Sequence, residues 1–289
     1  MKLCLRCRKT FTDSIWMCPY CGNEPEKKGG FLTFAPELSA DTGFKDVHFQ
    51  ELVELEAGSF WFRSRNSLIL WAMANYFSGI ETFLEIGCGT GFVLKGIAKR
   101  FPEVRISGSE ISSTGLTHSA CRVPDAQLFQ MDARHIPYVD EFDVIGAFDV
   151  LEHIKEDERV LSQMNQAVRP GGGVLLTVPQ HDFLWSGMDD FACHVRRYNA
   201  RDLRAKITGA GFRIERMTSF VSLLLPLMLV SRTLRKTGDD IHDPLTELKI
   251  GKLADRLLAK IMDIEALAIR HQINFPAGGS LLIIARKVS

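Results

Sequence analysis

The chain has 289 residues, 46% of them hydrophobic, which suits one large, fully cored domain or a domain with appendages. Its 35 Lys+Arg and 35 Asp+Glu cancel, so a global electrostatic pull toward nucleic acid is excluded and nucleic acid is the less favoured partner. The N-terminus is polar and rich in cysteine rather than apolar, so no secretory leader is expected.

Four of the seven cysteines stand in two pairs, Cys4-Leu5-Arg6-Cys7 and Cys18-Pro19-Tyr20-Cys21, separated by ten residues. This usage suits metal binding in a reducing cytoplasm better than disulfides. Each Cys-x-x-Cys can wrap one side of a tetrahedral ion; four thiolates close the site and leave no open position for catalysis. A segment of about thirty residues buries too little apolar surface to fold unaided, and a structural zinc could supply on the order of 10–16 kcal/mol. Residues 1–30 resemble a short zinc ribbon, with zinc on Cys4, Cys7, Cys18 and Cys21 and iron as the lesser alternative. A structural or protein-contact role is preferred to nucleic-acid binding. Lys27-Lys28-Gly29-Gly30 reads as the end of this module, and 31–58 as a linker of loops and a short helix.

Ser59 to Phe77 reads as an amphipathic helix, with Phe60, Trp61 and Leu68 preferred as core; its aromatic and arginine pattern, Phe60 to Arg65, resembles that of a bacterial methyltransferase subgroup in which this helix can lie over the cofactor. The stretch Phe83-Leu84-Glu85-Ile86-Gly87-Cys88-Gly89-Thr90-Gly91 reads as a buried strand running into a glycine turn, followed by a helix from Phe92. Such a turn brings backbone N–H groups close to a nucleotide-like ligand. Glu85, two positions before the first glycine, would repel a pyrophosphate and suits a ligand carrying an ammonium group, such as S-adenosylmethionine (SAM). The nine residues resemble motif I of the class I SAM-dependent methyltransferases, of the type 11/12 kind. The resemblance implies that Glu85, Gly87, Gly89 and Gly91 hold the methionine part of SAM.

Val104 to Glu110 reads as the second strand. Glu110 lies nineteen residues past Gly91, where an acid can take both ribose hydroxyls. Gln127 to Ala133 is the third strand; by resemblance Asp132 accepts from the adenine amino group, with the Ala133 N–H beside it. NAD-binding halves have no such acid as a routine feature, which argues against a NAD oxidoreductase. Phe142 to Ile154 is the fourth strand and its turn, and resembles motif IV of the family. Its carboxyl end, with Asp149, should face the cofactor crevice. Asp149, Glu152 and His153 resemble the acid-x-x-Glu-His run that holds a divalent ion in quinone-pathway O-methyltransferases, with Asp in place of the usual Glu. The preferred reading is that Glu152 and His153 start a helix and cap or pair locally, His153 being kept as a candidate general base. Val168 to Pro179 is a helix end, a glycine turn and the fifth strand.

The polar, aromatic loop after Pro179 should border the active site. Its His194-x-Arg196-Arg197-Tyr198 run resembles one in a bacterial subgroup of the superfamily. In the functional reading, His181, His194 and Tyr198 orient or deprotonate a nucleophile while Arg196 and Arg197 bind an anionic group. In the alternative, Arg and Tyr pin the loop to the domain. Asn199 reads as a helix N-cap answered by Asp202. Phe212 to Phe220 is the sixth strand, and Gly278 to Arg286 the last. An insertion, 222–272, holds the helix-like stretches Leu223 to Lys236 and Lys252 to His271. The apolar run Phe220 to Val230 is too short to span a bilayer as a helix. With Arg232, Arg235 and Lys236 at its end, 220–236 suits a membrane-surface contact, a lid over a greasy substrate, or a homodimer face, or else a buried helix with a solvated basic end.

The expected fold is α/β: a doubly wound, seven-stranded mixed sheet of Rossmann-like methyltransferase type, antiparallel in its last strand, spanning 59–289. The implied activity is methyl transfer from SAM to a small or lipid-like acceptor in the cytoplasm, peripherally at a membrane in one version, with the accepting atom open. An RNA methyltransferase guided by the ribbon and a SAM-binding protein without turnover are the alternatives.

Overall fold

The computed structural model describes residues 1–38, 47–235 and 250–288. Strands β1 (Lys2–Leu3) and β2 (Thr10–Phe11) form a small antiparallel pair. Strands β3 (Glu26–Lys28) and β4 (Phe31–Thr33) form a hairpin, followed by helices α1 (Val47–Glu56) and α2 (Phe60–Tyr76). The alternating core follows: β5 (Thr82–Ile86), α3 (Phe92–Arg100), β6 (Arg105–Glu110), α4 (Ser113–Arg122), β7 (Gln127–Gln130), β8 (Phe142–Phe148), α5 (Asp157–Ala167) and β9 (Val168–Pro179). Then come the short α6 (Gly187–Phe191), α7 (Ala200–Gly209), β10 (Phe212–Phe220), α8 (Leu225–Arg235), α9 (Lys252–Arg270) and β11 (Ser280–Lys287).

The main sheet runs β10-β11-β9-β8-β5-β6-β7-β4-β3. Strands β5 to β9 are parallel, and β11 inserts antiparallel to both β9 and β10. The seven expected strands are all present. The departure lies at the edge, where β4 pairs in parallel with β7 (Leu32 beside Phe129, Thr33 beside Gln130) and β3 closes the border. The stretch expected as a linker after Gly30 is therefore sheet. Phe31-Leu32-Thr33 is too short to show an alternation, and becomes a strand because the edge of β7 offers it a ladder. Gln130 finishes the join: its amide oxygen accepts from Ala35 N at 2.9 Å and its amide nitrogen donates to Ala35 O at 2.6 Å.

Both faces of the sheet are covered, so the strands are near-continuous apolar runs split by a period of two. Val174, Leu176, Val178, Leu281 and Ile283 point to one face, and Leu175, Leu282 and Ile284 to the other. The first face carries α5, α7 and the cysteine segment. Trp16 of that segment packs edge-on against Phe34 at 4.6 Å and Tyr138 at 5.3 Å. The N-terminal module thus shares one apolar cluster with the sheet and has no core of its own.

The second face carries α2, α3, α4 and α9. Helix α2 is amphipathic as expected, with Leu68, Ile69, Ala72 and Met73 buried and Ser67 and Asn75 exposed, while Trp61, Leu70 and Trp71 are packed on its flanks. Helix α9 packs along α2 and covers part of its apolar side. Asp255 of α9 accepts from Phe60 N and Arg63 Nη2, both at 2.6 Å. Buried Glu265 accepts from Ser222 N and Leu223 N, both at 2.7 Å, and ties α9 to the entry of α8. Of the insertion, 236–249 lies outside the described residues, and with it Lys236 of the expected basic end.

The chain leaves β5 for β6 on one side, while β8 lies on β5's other side. That reversal opens a crevice beyond the carboxyl ends of β5 and β8, where open α/β sheets bind their ligands.

Candidate active site

A cavity of about 1320 Å³ occupies this crevice. Small-ligand pockets run to roughly 300–1,000 Å³, so there is room for a nucleoside-sized donor and an acceptor together. The floor is the glycine turn. Gly87, Gly89 and Gly91 have φ of 66°, 51° and 77°, the left-handed region that side chains resist. A Cβ on Gly87 would come to 2.6 Å from Val150, and one on Gly91 to 2.9 Å from Ser119 Oγ. A Cβ on Gly89 would meet nothing and project into open space, so this glycine is the one that leaves room for a ligand. Gly91 does not line the cavity; it caps α3. Glu56 of α1 braces the turn, accepting from Thr90 Oγ1 at 2.6 Å and from Arg122.

Glu85, at the end of β5, is 3% exposed and its Oε2 has no hydrogen-bond partner. Burial pushes its carboxyl well above the usual range; Arg65 opposes the shift, while Glu110 and Glu56 add to it. An unsatisfied buried acid lining a cavity is completed by a cationic group. Glu110 lines the same cavity, accepting from Gly89 N at 2.9 Å, Ile111 N at 2.7 Å and Ser112 N at 3.1 Å. Burial raises its pKa against those three amides. Asp132 and Ala133 line the far side, just past β7. Burial alone would raise the Asp132 carboxyl, but Arg134, through Nε at 3.0 Å and its backbone N–H at 2.9 Å, and His135 hold it below the usual range.

Asp149, at φ 59°, follows β8 and is ion-paired with Arg65 of α2. The Arg65 guanidinium lies over the Trp61 ring at 4.5 Å. Phe60, Trp61, Phe62 and Arg65 all line the cavity, so three aromatics and an arginine of α2 form one wall, whereas Leu68 stays in the core. The sequence reading preferred Phe60 and Trp61 as core over a helix lying on the cofactor, and gave Arg65 no individual role. The four-residue spacing of Trp61 and Arg65, one helical turn, is the signal that was available.

Beyond Asp149, Leu151–His153 form a single 3₁₀ turn. Glu152 was expected to cap or pair locally. It is fully buried, its carboxyl oxygens have no hydrogen bond to another residue, and it faces His194. Burial and then Asp149 drive its pKa well above the ordinary value. His153 and His194 meet edge to face at 4.8 Å, both on the cavity wall. His194 Nδ1 lies 2.9 Å from Asp189 Oδ1, and its Nε2 4.0 Å from Glu152 Oε1. Desolvation and the neighbouring His194 lower the basicity of His153.

In the remainder of the loop the arginines and the tyrosine follow the alternative in which they pin it to the domain. Tyr198, expected beside the nucleophile, is 3% exposed and does not line the cavity; its hydroxyl donates to buried Asp157 at 2.8 Å. The residue pairs with Gln180 as an isolated bridge, which turns the ring toward α5. Arg196 and Arg197 do not form an anion site: Arg196 pairs with Asp157, and Arg197 makes a two-pronged bond to Asp189 at 2.8 and 2.9 Å. His181 stacks on Phe183 at 4.8 Å, outside the cavity lining. Asn199 does cap α7, accepting from Asp202 N at 2.8 Å. The outer wall of the cavity is apolar and comes from the insertion: Leu224, Leu227, Met228 and Leu258, with Arg232 at its margin.

At the N-terminus, Cys4 Sγ lies 3.6 Å from Cys21 Sγ, and Cys7 Sγ 3.7 Å from Cys18 Sγ, with all four sulfurs within 4.8 Å of one another. A tetrahedral zinc–thiolate cage with bonds of about 2.3 Å spaces its sulfurs about 3.8 Å apart. The donor set fits.

Comparison with known proteins agrees with this geometry. Residues 31–216 match the family described as methyltransferase domain. The chain belongs to the methyltransferases. A probable S-adenosylmethionine-dependent methyltransferase of Mycolicibacterium smegmatis is 27% identical over 163 residues, 54% of this chain and 61% of that protein. One of Mycobacterium tuberculosis is 24% identical over 207 residues, 68% of this chain and 71% of its relative. A phosphatidylethanolamine N-methyltransferase of Cereibacter sphaeroides is 35% identical over 100 residues, covering 32% and 48%. Among solved structures, a Haemonchus contortus phosphoethanolamine N-methyltransferase has TM-score 0.57 at 20% identity, covering 87% of this methyltransferase and 59% of its own chain. A Haloferax volcanii complex of the Trm112 methyltransferase activator with a methyltransferase has TM-score 0.55 at 15% identity, covering 84% and 95%. At those identities the likeness shows the fold.

Proposed function

We propose that this methyltransferase carries a methyl group from SAM to a small or lipid-like acceptor held in the cavity. The carrying observation is Glu85: an unsatisfied, buried carboxyl at the switch point, opposite the one glycine of the turn that faces open space. In this reading Glu85 takes the ammonium of the donor, and the turn from Gly87 through Gly89, shaped by Gly91, supplies close backbone approach. Glu110 takes the ribose, and Asp132 with Ala133 the adenine. Asp149 and Arg65 close the end toward the acceptor. The bound donor supplies an electrophilic methyl group; the protein aligns the acceptor with it and keeps water out. His153 and His194 stand where a proton could be received.

The acceptor class rests on the apolar wall of α8 and α9 and on relatives named for phosphatidylethanolamine and for ubiquinone biosynthesis. Exposed Leu223, Leu227, Leu229 and Val230 continue that wall outward, which supports a peripheral membrane contact through 220–236 on the cytoplasmic side or a homodimer face. No helix among the described residues is long and apolar enough to cross a membrane. The four cysteines hold a structural zinc in this reading. Phe11 and Trp16 of the ribbon are spent on the core rather than presented outward, which weighs against an RNA-guiding role.

Titration calorimetry with S-adenosylhomocysteine, followed by a product assay over ethanolamine lipids, phenols and RNA, tests the proposal. Micromolar affinity and turnover on a small or lipid acceptor are expected. Affinity without turnover would leave a binding protein, turnover on RNA alone would move the acceptor class, and no affinity would end the reading.

A further inference from the structure

Asp189 has no part in holding the donor, yet it is fully buried and accepts five hydrogen bonds at the cavity wall. Arg197 grips it through Nε at 2.8 Å and Nη2 at 2.9 Å; Ser186 donates its N–H at 2.8 Å and its hydroxyl at 3.2 Å. Burial works against ionisation, but His194 and Arg197 hold the Asp189 carboxyl far below the usual range. Its remaining partner is His194 Nδ1 at 2.9 Å.

A carboxylate only accepts, so Nδ1 carries a proton, and of the two neutral tautomers the contact selects the one with Nε2 bare. Nε2 points to the side where Glu152 lies 4.0 Å away and His153 packs edge-on. The backbone repeats the tie on both sides: His194 N donates to Asp189 O at 2.9 Å, and Val195 N to Glu152 O at 2.8 Å. A buried carboxylate that fixes the tautomer and aim of an imidazole is how general bases are prepared in other enzymes. His153 has no carboxylate partner of this kind among the hydrogen bonds of the described residues.

We propose that Asp189 is the positioning residue that holds His194 with Nε2 bare and facing the cavity, where it receives the acceptor's proton, and that Arg197 locks Asp189 in place. This rests on the methyl-transfer reading and deepens it. The acceptor's O–H or N–H bond breaks with its proton going to Nε2. The acceptor's electron pair forms the bond to the methyl carbon as the carbon–sulfur bond breaks onto sulfur. Products are the methylated acceptor, S-adenosylhomocysteine and an imidazolium paired with Asp189. The acceptor class is thereby a hydroxyl or N–H nucleophile that must shed a proton, not a carboxylate already ionised.

The test is nitrogen NMR of ¹⁵N-histidine protein, with the His194→Gln spectrum identifying the signal. The wild type should show the Nδ1–H tautomer. Asp189→Asn offers an amide N–H to Nδ1 and should move the proton to Nε2, while S-adenosylhomocysteine affinity by calorimetry stays within about twofold. Turnover on phosphatidylethanolamine vesicles or small phenols should fall by about 10²–10⁴ in Asp189→Asn and His194→Gln. An Nε2–H tautomer in the wild type overturns the proposal without any variant having to fold. So does an unmoved tautomer in Asp189→Asn, or a His194→Gln protein with undiminished turnover. Loss of S-adenosylhomocysteine affinity from the wild type itself would remove the methyl-transfer reading and leave the tautomer result standing.

Discussion

At the scale of single residues, Glu85 sets function against stability. Burial raises its carboxyl pKa, so the folded chain retains a proton that the unfolded chain gives up near its ordinary value of about 4.3. Between those two values the folded state binds more protons than the unfolded state. Its stability therefore falls as pH rises through that window. Glu85→Gln should raise the melting temperature at neutral pH and weaken S-adenosylhomocysteine binding at least tenfold; a thermal scan beside calorimetry checks both signs. Binding should also release a proton from wild-type protein, visible as a buffer-dependent heat that the Gln variant lacks. Gly89 gives a cleaner steric test. Gly89→Ala meets no protein atom, so its cost to folding is the left-handed backbone, about 1–2 kcal/mol. The new methyl intrudes on the cavity, and donor affinity should drop tenfold or more. Equal donor affinity in the two proteins would place the ligand elsewhere.

At the scale of elements, the loop from Pro179 to Asn199 has two sides. Its inner side carries Asp189 and His194 to the cavity, while its outer side is riveted to α5 through Asp157. Asp157 is 2% exposed and also accepts from Lys206 Nζ at 2.6 Å. Tyr198→Phe should therefore cost about 1.5–3 kcal/mol of stability, the worth of a hydrogen bond to a charged group, and leave turnover unchanged at low temperature. A variant of full stability and lost turnover would restore Tyr198 to the chemistry. The His-x-Arg-Arg-Tyr run shows what a pattern of residues leaves open. Residue types alone allow catalysis or anchoring; the burial of Tyr198 and the pairing of Arg196 with Asp157 and of Arg197 with Asp189 favour anchoring, while His194 keeps its ring at the cavity wall.

At the scale of the whole molecule, the cysteine ribbon and the sheet share one apolar cluster. Cys4, Phe11, Trp16 and Cys18 belong to the cluster that includes Phe129, Tyr138 and Ile145. The ribbon also clamps the loop that bears Asp132, since Leu3 N donates to Pro137 O at 2.9 Å and Lys2 bridges Tyr138. Stripping metal with a chelator should lower the melting temperature of the entire chain in one transition and weaken donor binding. Two separate transitions in a calorimetric scan, or a shift confined to the first thirty residues by hydrogen exchange, would show the ribbon to be independent.

The elements of the core were legible in the residues because each rests on local chemistry: glycine turns after apolar runs, acids at strand ends, Asn199 answering Asp202. The cysteine pairs were legible for the same reason, since metal spacing is a property of a few neighbouring residues. Non-local partnership was not. Phe31 to Thr33 became a strand because β7 had a free edge, Arg65 became a cavity residue because Asp149 lay opposite, and Glu152 was buried facing a histidine forty-two residues further on. Asp189, unremarkable in sequence, gained its place from a histidine and an arginine five and eight residues further on, folded back against it. Sequence by itself determined the order of elements and the strand ends at which Glu85, Glu110 and Asp132 stand, because backbone preference and side-chain type act over a few residues. Which side chains meet in the cavity, and which are used to hold the loop that shapes it, was decided by tertiary packing, because burial and opposite charge act between residues that the chain keeps far apart.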